Sequence, residues 1–270
     1  MAQLIIDIQG TQLSAQDKTN LTNPLTAGVI LFSRNYINAQ QLCKLTTAIK
    51  AIRHDLLICV DQEGGRVQRF KQDFSSLPAL ANFGKLYQQD KSTALDYTYN
   101  CGWLMASELI ATGIDLSLAP IVDLDYGRSS VIGNRAFAKD TSTVIALASA
   151  YMHGMRAAGM ANNIKHFPGH GYVKADSHHQ LPIDERSLEQ ITAQDLIPFA
   201  QLIDTNQALS TMAAHVVYKQ VDEAPSGFSS VWLRDILRTQ LGFKGIIMSD
   251  DLSMAGAQWA GEINQRISAA

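Results

Sequence analysis

The chain has 270 residues, 46% of them hydrophobic and 17% charged, with a formal net charge of −3. That composition suits a soluble globular protein of one large α/β domain or two small ones, and it gives no electrostatic reason to expect nucleic acid or an anionic membrane as partner. No apolar run reaches the roughly 18 residues of a transmembrane helix, so none is predicted.

From the N-terminus, MAQLIIDIQGTQL has no basic region and meets Asp7 early, so it does not read as a secretory signal. Short apolar runs then recur as predicted strands at Leu4–Ile8, Gly28–Phe32, Leu56–Asp61, Leu116–Asp123, Ala161–His166, Ala208–His215 and Gly245–Asp250. Between them, Ala39–Ile52, Thr93–Thr112, Thr143–Ala158, Ser187–Ile203 and Ser230–Leu241 carry apolar residues at helical spacing. Ser187 with Gln190 has the form of a capping box, and Gly159 and Gly242 stand where helix-terminating glycines belong. Cys43, Cys59 and Cys101 are odd in number and far apart, which predicts reduced thiols in a cytoplasmic protein.

Strand–helix alternation with continuously apolar strands implies a parallel sheet covered on both faces. A (β/α)8 barrel is the expected fold, with a doubly wound open sheet as the alternative. DIQGTQLS has only one glycine after the first strand, so the dinucleotide fingerprint of an open sheet is missing. In a barrel, functional groups gather at the C-terminal strand ends. Here Asp61, Asp123, Lys165, His166, His215, Asp250 and Asp251 all fall there. No eighth strand follows Asp250, so the barrel is expected to be truncated before it.

The densest cluster is NIKHFPGHGYVKADSHHQLP, with His166, His170, His178 and His179. A metal site is disfavoured, because adjacent His178 and His179 point apart in an extended chain and the spacing crosses a proline and two glycines. Asp176 and His178 are two apart, so an extended loop puts them on one side as a carboxylate–imidazole pair able to move protons, although a solvated loop pair fits as well. Asp250 and Asp251 end a buried strand, where one can cap a helix and the other face a pocket. Asp61 sits at a strand tip ahead of Glu63, Arg66 and Arg69, a stretch that also reads as a charged turn. Lys165 is costly at a buried strand end unless paired or used. Arg135 also reads as a solvated loop arginine.

DQEGGRVQR, KHFPGHG followed by DSH, and GFKGIIMSDDLSM resemble glycoside hydrolase family 3, and within it the single-domain bacterial β-N-acetylhexosaminidases of peptidoglycan recycling. The resemblance runs from about Leu4 to Gly256. It implies a single catalytic barrel domain over residues 1–270, lacking the C-terminal part of the family domain. It also implies Asp250 as nucleophile, His178 as acid/base with Asp176 as its partner, and Asp61, Arg69, Arg135, Lys165 and His166 as sugar-binding residues. The implied reaction is retaining hydrolysis, through a glycosyl-enzyme, of terminal β-linked N-acetylglucosamine from fragments such as GlcNAc-1,6-anhydro-MurNAc, with or without peptide. No cofactor or metal, no nucleic acid or membrane partner, and a cytoplasmic monomer are expected. Alternatives are a family-3 β-glucosidase, a phosphorylase or a non-catalytic sugar-binding protein. The Phe167–Asp184 loop is expected to swing when sugar binds.

Overall fold

A computed structural model describes residues 3–174 and 181–270. The predicted strands form at each expected place, mostly shorter than the apolar runs suggest. Strands β1 (Leu4–Asp7), β2 (Thr26–Leu31) and β3 (Leu57–Val60) pair in parallel. A short antiparallel hairpin of β4 (Gln62–Gly64) and β5 (Val67–Gln68) follows, and β6 (Leu116–Ser117) then joins β3. The second half supplies β7 (Asn163–Phe167), β8 (Ile183–Asp184), β9 (Ser210–Ala213), β10 (Val217–Tyr218) and β11 (Ile246–Ser249). Of these, β7, β9 and β11 form a parallel sheet, and β8 and β10 form a small pair beside it.

The two larger sheets meet through backbone bonds. Asn163 N–H donates to Ala119 O and Val122 N–H to Lys165 O, both at 2.9 Å. The parallel order is therefore β1-β2-β3-β6-β7-β9-β11, each strand beside its predecessor. One face of this curled array converges on an interior cluster of Cys59, Leu116, Leu118 and Met212, with Ile5, Ile30, Leu57 and Met248 packed against it. The opposite face meets the helices in the main core. The sheets are not closed: among the described residues no ladder links β11 to β1. The seam is correspondingly exposed, with Ile246 of β11 at 68% while all five residues of β7 are buried.

Helices form where apolar spacing and caps agree. Ala39–Ile52 starts at Asn38, whose side chain accepts from Gln41 N–H, and it buries Leu42, Leu45, Thr46 and Ile49. Thr141–Ala158 is capped by Asp140 and ends at Gly159 with φ of +96°. It crosses Lys91–Ala111 closely enough that a Cβ at Gly102 would lie 2.2 Å from Tyr151 O, so only glycine fits there. Val231–Gln240 is a wider helix whose C-terminal Leu241 N–H reaches Ile236 O.

Three local expectations need correction. Ser187–Ile203 is not one helix: Leu188–Thr192 keeps the predicted capping box, and the chain restarts at Leu196–Asp204. Pro198 explains the break, since its ring needs the first turn of a helix rather than the interior. Leu116–Asp123 narrows to two strand residues because Pro120 removes a ladder donor. Helices Ala15–Thr22 and Leu80–Tyr87 also form where no periodicity signalled them. None of the helices among the described residues is long and apolar enough to cross a membrane.

Candidate active site

The C-terminal strand ends carry a buried, cross-linked set of charges. β7 is the centre. Lys165 is 2% exposed, and its Nζ lies 2.7 Å from Asp61 Oδ1 and 2.7 Å from Glu63 Oε1. Asp61 follows the tip of β3, and Glu63 lies two residues on in β4. Arg135 grips Glu63 with two parallel contacts, Nε to Oε2 at 2.9 Å and Nη2 to Oε1 at 2.8 Å. Arg69 closes the other side, with Nη2 3.5 Å from Asp61 Oδ2 and a buried Nε that has no partner among the described residues. Its backbone is fixed by Gln62, whose Oε1 accepts from the Arg69 and Phe70 N–H groups.

This network sets its own charges. Burial alone would raise the Glu63 carboxyl, but Lys165 and Arg135 outweigh it and hold it well below the usual range. Burial would likewise lower Lys165, yet Asp61 and Glu63 keep its ammonium more firmly protonated than a free lysine. A fixed cation between two fixed carboxylates offers donors and acceptors to a ring of hydroxyl groups without reorganising.

Beside it, Asp123 organises the histidines. Its Oδ2 is 2.7 Å from His166 Nδ1, and its Oδ1 accepts from the His170 N–H at 2.7 Å and the His166 N–H at 3.2 Å. The carboxylate thereby fixes the His166 ring through Nδ1 and leaves Nε2 outside this contact. His170 lies edge-on to His166, with ring centroids 5.9 Å apart. Burial first, and His166 second, depress its pKa to about 4.

Asp250 follows β11. Its N–H donates to Ala213 O at 3.1 Å, and its Oδ1 accepts from Asp251 N–H at 2.8 Å. Burial opposes ionisation, but His166, His215, the Asp251 N–H and Lys165 together hold the carboxyl below its ordinary value. Asp251 is exposed and accepts from the Ser253 N–H, a turn role. An ionised carboxylate on a partly exposed residue beside this polar network can act as a nucleophile or stabilise a developing cation.

Asp61, Arg69, Arg135 and Lys165 are thus joined in one network with Glu63, His166 follows Lys165 on β7, and Asp250 is near enough to feel the charges of His166 and Lys165. Asp176 and His178 lie outside the described residues, as does the centre of the loop expected to swing. The chain on either side is well held. Tyr172 sits between Arg128, 4.2 Å from its ring, and Arg186, 3.9 Å away, and Val173 is buried. Arg186 in turn bonds Asp184 and Asp195. Sequence reasoning left two contributors without a role, Glu63 and Asp123. Glu63 had a signal, since it is two residues past Asp61 in extended chain before paired glycines; Asp123 had only its strand-end position. No group of three or more histidine, cysteine or acidic side chains among the described residues is arranged to hold a metal ion.

The glycosyl hydrolase family 3 N-terminal domain matches residues 1–270. A β-hexosaminidase of Pseudomonas aeruginosa is 52% identical over 99% of this chain and 78% of its own length. NagZ from Neisseria gonorrhoeae in complex with N-trifluoroacetyl-D-glucosamine superposes with a TM-score of 0.93 at 45% identity, covering 99% of this chain and 77% of that one. The same protein in complex with zinc ion gives 0.90 at 44%, over 96% and 79%.

Proposed function

We propose, from the premise that the chain belongs to glycosyl hydrolase family 3 and is an enzyme of its β-hexosaminidase type, that it cleaves terminal β-linked N-acetylglucosamine by a retaining, two-step mechanism. Asp250 attacks the anomeric carbon through an oxocarbenium-like transition state and forms a glycosyl-enzyme. His178, oriented by Asp176, protonates the leaving oxygen and then deprotonates the incoming water. Asp61, Arg69, Arg135, Lys165 and His166 bind the sugar, with Arg135 acting through Glu63. The observation that carries this reading is the Asp250 carboxylate, held ionised beside the Lys165–Asp61–Glu63–Arg135 network.

The network suits a saccharide because it presents charged donors and acceptors at fixed positions, and a related protein was solved with N-trifluoroacetyl-D-glucosamine. A peptidoglycan fragment such as GlcNAc-1,6-anhydro-MurNAc, with or without peptide, is the proposed substrate, and its recycling in the cytoplasm the proposed setting. The fold behind the proposal is a (β/α)8-type barrel opened at its seam, forming one catalytic domain over residues 1–270. Turnover by this mechanism needs no metal.

The test is to assay nitrophenyl N-acetylglucosaminide and glucoside with and without phosphate, following the anomer first released by NMR. Release of the β-anomer of N-acetylglucosamine, unaffected by phosphate or prolonged chelation, is expected. Glucosidase preference, a phosphorylated product, or activity restored by zinc after chelation would each displace this reading.

A further inference from the structure

We infer that His215 is a positioning residue that pins the Asp250–Asp251 peptide plane and thereby aims the Asp250 carboxylate. The inference rests on reading Asp250 as the nucleophile. Among the described residues β11 has a strand neighbour on one side only, β9, which accepts the Asp250 N–H through Ala213 O. The Asp250 carbonyl has instead a side-chain partner: His215 Nε2, at 3.1 Å. A carbonyl can only accept, so Nε2 carries the proton and donates.

The ring can make this contact in one orientation. His215 is fully buried, and it stacks on Phe228 with centroids 5.2 Å apart and planes at 14°. Phe228 stacks in turn on Trp259 at 6.2 Å. The loop beyond is tied to the same segment, Gly227 N–H and Ser226 Oγ both donating to Ala214 O. Gly227 leaves room for the ring, since a Cβ there would come 3.2 Å from Nδ1. His215 Nδ1 has no hydrogen-bond partner among the described residues. A ring serving only to pack would do so better as phenylalanine, without a buried unpaired nitrogen. The one hydrogen bond the imidazole makes among the described residues, to the Asp250 carbonyl, is therefore the contact that accounts for it.

That contact reaches the reacting group through a single peptide unit. His215 holds its carbonyl end, while its amide end, Asp251 N–H, donates to Asp250 Oδ1 at 2.8 Å. Rotation of the plane would drag the carboxylate with it, and a bond accepted at the carbonyl polarises the N–H that the carboxylate receives. His215 acts through the peptide and not on the sugar, so its loss should show in the chemical step rather than in binding.

The experiment compares His215→Phe, which keeps the stacked ring and removes the donor, with His215→Gln, whose amide nitrogen can reach the same carbonyl. With nitrophenyl N-acetylglucosaminide, His215→Phe should lower kcat about 100-fold with KM nearly unchanged, as misplacement of a reacting group does. His215→Gln should recover most of that loss at a similar melting temperature. Independently of turnover, the Asp250 carbonyl carbon and Asp251 amide nitrogen NMR shifts should move in the Phe variant and return in the Gln variant. If His215→Phe does not fold, His215→Asn, too short to reach the carbonyl, replaces it. Wild-type kcat in the donor-less variant, or shifts that stay in place, would overturn the inference. A wild-type protein without hydrolase activity would overturn the functional reading instead, and the NMR shifts would still decide the role of His215.

Discussion

The interior strands and the seam strands solve the same problem differently. On β7, ladder neighbours on both sides and a layer of helices bury every residue, and Lys165 and His166 emerge from a fixed backbone into paired carboxylates. On β11, one neighbour among the described residues and a partly exposed face carry Asp250, whose carbonyl is met by a side chain, His215. The sugar-binding half of the proposed site is therefore held by sheet, and the nucleophile by local hydrogen bonds. Damage to the first half should cost stability as well as binding, and damage to the second should cost rate alone.

Asp250→Asn breaks the comparison most sharply. Removing a nucleophile costs on the order of 10⁵–10⁶ in kcat, and because Asp250 sits on the seam the melting temperature should hardly move. A slow 2-deoxy-2-fluoro-type substrate should label Asp250 in the wild type, and a label on Asp251 would refute the assignment. Next, His178→Ala should slow poor leaving groups by about 10²–10⁴ and activated nitrophenyl substrates far less, because only the former need a proton. An equal loss for both would remove His178 from the acid role.

Lys165→Met tests the buried half. Among the described residues it leaves Asp61 with only the 3.5 Å contact of Arg69 and Glu63 with only Arg135, and breaking such a buried group destabilises by about 3 kcal/mol. Urea unfolding should show this loss, together with a raised KM for N-acetylglucosaminides. A variant as stable as the wild type would mean that the network is solvated.

The sequence made the strands legible because a parallel sheet covered on both faces demands continuous apolar runs: Leu57–Val60 and Ser210–Ala213 fall inside the predicted ones, and Asn163–Phe167 overruns its predicted end, His166, by one residue. It also exposed Asp61, Lys165 and Asp250 through their position at strand ends. What it hid was pairing across long separations. Glu63 meets Arg135 72 positions away, and Asp123 meets His166 43 positions away; neither contact leaves a local pattern. Helix ends escaped where a tertiary partner competed, as at Asp195, whose carboxylate is drawn to Arg186. His215 was legible as a strand-end histidine, but its partner is a backbone carbonyl, which sequence cannot mark.

The smallest effect comes from His170, which separates the two regions by pH. Its ring is buried against His166, with burial the larger cause of a folded pKa near 4, whereas an unfolded histidine titrates near 6.5. Between these values the unfolded chain binds a proton that the folded chain refuses. The stability due to a neutral His170 is therefore complete above about pH 6.5 and is lost as pH falls towards 4. Over the span from pH 6.5 to 5 the loss is about 2 kcal/mol. Asp123 and Glu63, both depressed in the fold, act in the same direction only at lower pH, once unfolded carboxylates begin to protonate. His170→Asn should therefore be less stable than the wild type at pH 7.5 yet show a flatter decline between pH 6.5 and 5, measured by urea unfolding at each pH. Asp250→Asn, on the seam, should leave that slope as it is in the wild type. A His170→Asn protein with the wild-type slope would mean that another group takes up the proton.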